Sequence, residues 1–123
     1  LATVLIVDDE FGIAELLDAV LSDDGHTVVT AANGRQGLAR VAAGRPDLIF
    51  LDFMMPVMDG PAMLAALTAD PEACGIPVVL MSSMPEETVR ERASGHAAFL
   101  RKPFRLKQLR DLVVQLAPGR DDT

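Results

Sequence analysis

Apolar residues follow two rhythms that take turns along this chain. Val4–Val7, Thr27–Ala31, Asp47–Asp52, Val78–Met81 and Ala97–Arg101 are short runs of strand length. Between the first two, Ile13, Leu16, Leu17, Val20 and Leu21 recur at the i, i+3, i+4, i+7, i+8 spacing of an amphipathic helix, and Asp24-Gly25 stops it. Asn33-Gly34 opens a second helix carrying Leu38 and Val41, which Gly44-Arg45-Pro46 ends. A third begins near Asp59, where Pro61 suits the first turn because its missing N–H costs little, and carries Met63, Leu64 and Leu67. Pro85-Glu86-Glu87 puts carboxylates at the positive end of a fourth helix expected to reach Ser94-Gly95. Leu106, Leu109, Val113 and Leu116 form one side of a fifth, broken by Pro118-Gly119.

Strands alternating with helices imply right-handed crossovers and a parallel sheet covered on both faces. The expected class is α/β: a flavodoxin-like, doubly wound, five-stranded parallel sheet with five helices. No internal repeat or second-domain boundary interrupts it. Residues 1–119 read as one domain, and the polar residues 120–123 as a tail or linker stub.

The chain has 123 residues, half of them apolar, so a sizeable core is available, but its five aromatic residues are all Phe. Aliphatic side chains and Met must fill the interior. A net charge of −7 with no run of Lys or Arg argues against direct nucleic-acid binding and against attraction to anionic membranes. No apolar stretch approaches the roughly 18 residues of a membrane span, and no signal-peptide pattern opens the chain. A lone cysteine, Cys74, forms no internal disulfide or metal-ligand spacing and suits a reducing compartment, so a cytoplasmic location is expected. The opening residue is Leu1 rather than Met, which leaves room for a missing start.

Four of the runs end on residues that phosphate chemistry can use. The first meets Asp8, Asp9 and Glu10; the third ends at Asp52; the fourth meets Ser82 and Ser83; the fifth meets Arg101 and Lys102. Parallel strands bring these ends to one sheet edge, where open α/β sheets place their ligands. Asp52 is the candidate nucleophile. Carboxylates gathered there repel one another, and a hard divalent ion settles the conflict. Mg²⁺ takes oxygen ligands in octahedral geometry, so Asp9 and Asp52 are direct candidates, the Met54 backbone carbonyl a third, and Asp8 a partner through water. Lys102 can pair with a phosphoryl oxygen while the Ser82 hydroxyl donates to another. Each residue alone has a plainer reading as a turn Asp, a loop hydroxyl or a solvated lysine. Together, at the ends of four alternating strands, they make a poor coincidence.

Val7-Asp8-Asp9-Glu10, Leu51-Asp52-Phe53-Met54-Met55-Pro56 with Asp59-Gly60, Met81-Ser82-Ser83 and Phe99-Leu100-Arg101-Lys102-Pro103-Phe104 resemble, in order and spacing, the motifs of bacterial response regulator receiver domains. The resemblance implies that Asp52 accepts a phosphoryl group from a sensor histidine kinase or histidine phosphotransfer protein, with Mg²⁺ required. It also implies that Lys102 pairs with the phosphate, that Ser82 is the switch hydroxyl and Phe99 the aromatic switch, and that the Lys102-Pro103 bond is cis. A downstream effector domain or protein reads the face made by the fourth helix, fifth strand and fifth helix, and a phosphorylation-dependent dimer is compatible with this. A kinase in this family docks beside the first helix, which makes Phe11 a candidate contact or a staple of the helix entrance.

Departures from the family pattern carry information. Phe99 lacks the hydroxyl of the Tyr found in many relatives, and Ala97 and Ala98 replace the acids that one large class of DNA-binding regulators uses at its dimer interface. Met54 and Met84 stand two residues beyond Asp52 and Ser82, and a thioether orients water poorly, so slow spontaneous dephosphorylation is expected. Two other readings stay open. One is a non-phosphorylated pseudo-receiver that only binds. The other is an Mg²⁺-dependent aspartyl-phosphate hydrolase, although Met54 stands where such an enzyme usually has its second Asp. His26 and His96 are expected to be solvent-exposed or capping residues.

Overall fold

A computed structural model describes residues 1–117. Pro118-Gly119 and the tail at 120–123 lie outside the described residues. Five parallel strands form one sheet in the order β2-β1-β3-β4-β5: β1 Thr3–Val7, β2 Thr27–Ala31, β3 Leu48–Asp52, β4 Val78–Ser82 and β5 Ala98–Arg101. Helices α1 Phe11–Asp23, α2 Gly34–Ala43, α3 Gly60–Ala69, α4 Glu86–Arg90 and α5 Leu106–Leu116 make the crossovers. The doubly wound α/β fold expected from the alternating rhythm is the one observed.

Every residue of β3 and β4 is buried, as strands covered on both faces must be, which is why they read as continuous apolar runs. Alternation along the strands divides the interior in two. Val4, Ile6, Leu48, Phe50, Val79, Met81 and Leu100 pack with Leu17 and Leu21 of α1 and Leu109 and Val113 of α5. Leu5, Val7, Ile49, Leu51, Val78 and Leu80 pack with Met63, Leu64 and Leu67 of α3 and Val89 of α4 on the opposite face, with Leu38 and Val41 of α2 against them. Each leucine wholly removed from water in these layers stabilises the fold by about 1.5–3 kcal/mol.

Helix entrances are set locally. Asn33 accepts the Gln36 N–H at 2.9 Å while the Gln36 side chain accepts the Ala32 N–H at 2.9 Å, and Asp59 accepts the Ala62 N–H at 3.0 Å ahead of Pro61. Gly25, at φ +98°, follows α1 where the chain must turn back.

The structure corrects one helix. α4 ends at Arg90 instead of reaching Ser94-Gly95. Arg92, just past it, lays its guanidinium over the Phe53 ring, 5.4 Å from its centre, and 3.8 Å from the Asp59 carboxylate. The chain passes through turns to Gly95, whose φ of +96° no helix accommodates.

Candidate phosphoryl-transfer site

The strand parity that divides the core also sorts the site. Asp8, Asp52 and Lys102 continue the alternation of Ile6, Phe50 and Leu100, on the α1/α5 face. Ser82 and Phe99 continue that of Leu80, on the α3/α4 face. Asp52, Ser82 and Lys102 meet at the carboxyl edge of the sheet, in a cleft of about 700 Å³ that Asp9 and Glu10 also line, with Ile13, Leu16 and Phe104 as its apolar wall.

Lys102 is the centre of the charged group. Its Nζ donates to Asp8 Oδ2 at 3.0 Å, Glu10 Oε1 at 3.3 Å and Asp52 Oδ1 at 3.3 Å, while its backbone N–H donates to the Ser82 carbonyl at 2.8 Å. The Lys102-Pro103 bond is cis. Burial, reinforced by the Asp8 charge, pushes the Asp52 carboxyl up to about 7 against the opposing pull of Lys102. For Lys102, burial acts downward, but the hydrogen bond to Asp8 and the charges of Asp52 and Asp8 outweigh it and leave the ammonium above its ordinary value.

Oxygens of Asp8, Glu10 and Asp52 lie within 4.8 Å of one another. Three carboxylates around one ammonium leave excess negative charge, and an all-oxygen donor set is the chemistry a hard divalent ion such as Mg²⁺ prefers. The residues therefore fit the ion. Asp9 is exposed and lines the same cleft, and its charge is among those that raise Asp52. Glu10, not Asp9, joins the close triplet. Sequence reasoning places Glu10 among the strand-end acids but gives it no part in holding the ion, although the alternation of an extended chain puts residues 8 and 10 on one side and 9 on the other; Glu10 has that backbone, at φ −89° and ψ 105°.

Met54 is exposed at the rim, whereas Phe53 is buried. Ser82 is buried, and its Oγ accepts the Met84 N–H at 3.0 Å, which leaves the hydroxyl proton to donate elsewhere. Phe99 and Met84 are half-buried against the α3-face core.

The loop after Asp52 is fixed from both sides. Met58 donates its N–H to Pro56 at 2.7 Å around Val57, which sits at φ +68°, a conformation costly for a β-branched residue. The Met58 carbonyl then accepts the Gly34 N–H at 2.9 Å, and Gly60 donates to the Phe53 carbonyl at 3.0 Å. A Cβ on Gly60 would lie 2.5 Å from the Asp52 carbonyl oxygen.

The histidines divide. His26 accepts the Ala2 N–H through Nδ1 at 3.1 Å, holding the amino end of β1 far from the site. His96 is not solvent-exposed: its side chain retains 8% accessibility, with Nε2 3.8 Å from Glu86 and Nδ1 unpartnered among the described residues. The loop between Ala93 and Ala98 folds it inward.

A doubly wound sheet with acids, a hydroxyl and a lysine converging at its carboxyl edge defines a phosphoryl-handling α/β domain. The pattern of the response regulator receiver domain matches residues 4–114, and this chain belongs to that family. It is 37% identical over 117 residues to sporulation initiation phosphotransferase F of Bacillus subtilis, covering 94% of this chain and 93% of that protein. It is 35% identical over 108 residues to the DNA-binding response regulator MtrA of Mycobacterium tuberculosis, covering 86% of this chain but 46% of that protein. Among solved structures, the signal receiver domain of a signal transduction histidine kinase from Syntrophus aciditrophicus superposes with a TM-score of 0.88 at 34% identity, covering 100% of this chain and 95% of that one. Receiver domains of two-component systems take phosphoryl groups from histidine kinases or phosphotransfer proteins, bind Mg²⁺ at an acidic pocket and are linked to effectors. They are phosphoacceptor signalling domains rather than conventional enzymes. No helix among the described residues is long and apolar enough to cross a membrane.

Proposed function

We propose that residues 1–119 form a cytoplasmic receiver domain in which Asp52 accepts a phosphoryl group from a phosphohistidine, with Mg²⁺, and that the acyl phosphate alters an output surface read by an effector. The observation that carries this is the contact of Lys102 with both Asp8 and Asp52 in an open cleft that also holds the Ser82 hydroxyl.

An Asp52 carboxylate oxygen forms the new O–P bond as the N–P bond to the donor imidazole breaks, and the imidazole nitrogen keeps the electron pair. Catalysis of such a transfer is positioning and charge neutralisation. Asp9, Asp52 and the Met54 carbonyl are the candidate ligands of Mg²⁺, with Asp8 acting through water; when bound, the ion neutralises charge on the transferring oxygens. Lys102 turns from the carboxylates to a phosphoryl oxygen, and Ser82 donates its hydroxyl proton to another. Ser82 thereby leaves its place beside Met84, and Phe99 turns into the vacated space. The apolar wall of Ile13, Leu16 and Phe104, with the exposed Phe11 nearby, suits a docked helical donor. The hydrolase reading has no support at Met54, which offers a thioether where that chemistry needs a second carboxylate.

Incubation with acetyl phosphate should add one phosphoryl mass to the intact chain with Mg²⁺, none without it and none in Asp52→Ala. Failure of the wild-type chain to gain that mass, under conditions that load a control receiver and with a panel of kinase donors, favours the pseudo-receiver. Once formed, the acyl phosphate should decay slowly, because neither Met54 nor Met84 orients water. Replacing both by Asn and Glu should shorten its lifetime about tenfold or more, a magnitude typical of positioned water-orienting groups.

A further inference from the structure

Glu10 occupies the N-cap position of α1, yet its side chain makes no capping hydrogen bond. Its backbone N–H donates to Asp8 Oδ1 at 2.8 Å, and its carboxylate turns back over the pocket to Lys102 at 3.3 Å. Instead of capping the free amides of its own helix, the Glu10 carboxylate pairs with the lysine of the last of the four motifs. Exposure sets Glu10 apart from its companions: its side chain is 62% accessible, against 0% for Asp8 and 9% for Asp52. Asp8 and Asp52 are fixed by the sheet. Glu10 is the carboxylate of the three that can swing away.

We infer that Glu10 is a positioning residue for phosphoryl transfer, a releasable counter-anion that parks Lys102 on the carboxylate side of the cleft and must give it up when a phosphoryl group arrives. This rests on the receiver reading above. Glu10 has two separable effects. Its charge adds to the field that attracts a divalent cation. Its reach competes with the phosphoryl group for the lysine and sets a negative charge against the incoming oxygens.

The test compares Glu10→Gln and Glu10→Asp with the wild type and with Glu15→Gln, an exposed α1 acid outside the site, as the control for net charge. Calorimetric titration gives Mg²⁺ affinity, and titration of the phosphoryl mimic beryllofluoride at saturating Mg²⁺ gives the second affinity. Glu10→Gln should bind Mg²⁺ about threefold to fivefold more weakly, the effect of one unit charge across a partly solvated site. It should bind beryllofluoride about threefold more tightly, because Lys102 is no longer held back. Glu10→Asp keeps the charge but is one methylene shorter. It should keep near wild-type Mg²⁺ affinity and share the tighter beryllofluoride binding. If Glu10→Gln matches Glu15→Gln in both titrations, or if both affinities fall together, the inference is overturned. A wild-type chain that binds neither probe overturns the receiver reading itself, which distinguishes the two failures.

Discussion

The two faces of the sheet differ in what they hold and how firmly. On the α1/α5 face, helices of 13 and 11 residues bury Leu17, Leu21, Leu109 and Val113 beneath the Asp8–Asp52–Lys102 group. On the other face α3 buries Met63, Leu64 and Leu67, but the five-residue α4 that follows Ser82 buries Val89 alone, and Phe99 is only half-buried. Period-two alternation thus puts the charged group on one face and the proposed switch pair, Ser82 and Phe99, on the other, the face that carries the shortest helix. Segments with few buried anchors open at low cost, and elements that move are drawn from them.

The largest expected effect probes the stiff side. Leu17→Ala, a truncation at a wholly buried site, should cost about 3 kcal/mol in urea unfolding; like for like, Val113→Ala in α5 should cost about 2 kcal/mol and Val89→Ala under the short α4 about 1 kcal/mol. Equal losses would erase the asymmetry.

A pH series tests the electrostatic difference between the faces. The Asp52 carboxyl titrates near 7 in the folded protein and near 4 in an unfolded chain, so the native state binds the extra proton between those values. The stability this contributes is whole below about pH 4 and is lost as pH rises through about 7. Metal-free protein should therefore weaken between pH 5 and pH 8. Asp52→Asn should remove that slope and be the more stable chain at pH 8, by about 1 kcal/mol or more. Mg²⁺ should restore the wild type at high pH, where the carboxylate it needs is formed. A slope unchanged in Asp52→Asn would place its origin elsewhere.

The smallest effect sharpens the contrast from the loose side. Arg90 and Glu86 pair at 2.9 Å on the exposed surface of α4. Arg90→Ala should change global stability by less than about 0.5 kcal/mol. It should nevertheless speed amide exchange within α4, since so short a helix has little else to close it.

Much of this was legible in the chain. The strand ends could be read because four of the five apolar runs stop at an acid, a hydroxyl or a base, and parallel pairing carries those stops to one edge. Asp8, Asp52, Ser82 and Lys102 are gathered there for that reason. That Glu10 and not Asp9 joins Asp8 and Asp52 is hidden where three acids in succession mask an alternation that only the backbone reveals. The end of α4 is placed too far along because Ser94-Gly95 is the first local stop signal, while the contacts of Arg92 with Phe53 and Asp59 depend on another motif. The burial of His96 is likewise decided by a loop, not by any local pattern.

Gly60 carries no charge and offers no side chain to a ligand, yet the backbone of the strand that ends at Asp52 passes where its side chain would begin. In a saturation library selected for signalling, that position should tolerate as few letters as Asp52. A reader ranking residues by such intolerance would score the two alike, although one would be kept for the reactivity proposed for it and the other for the room it leaves.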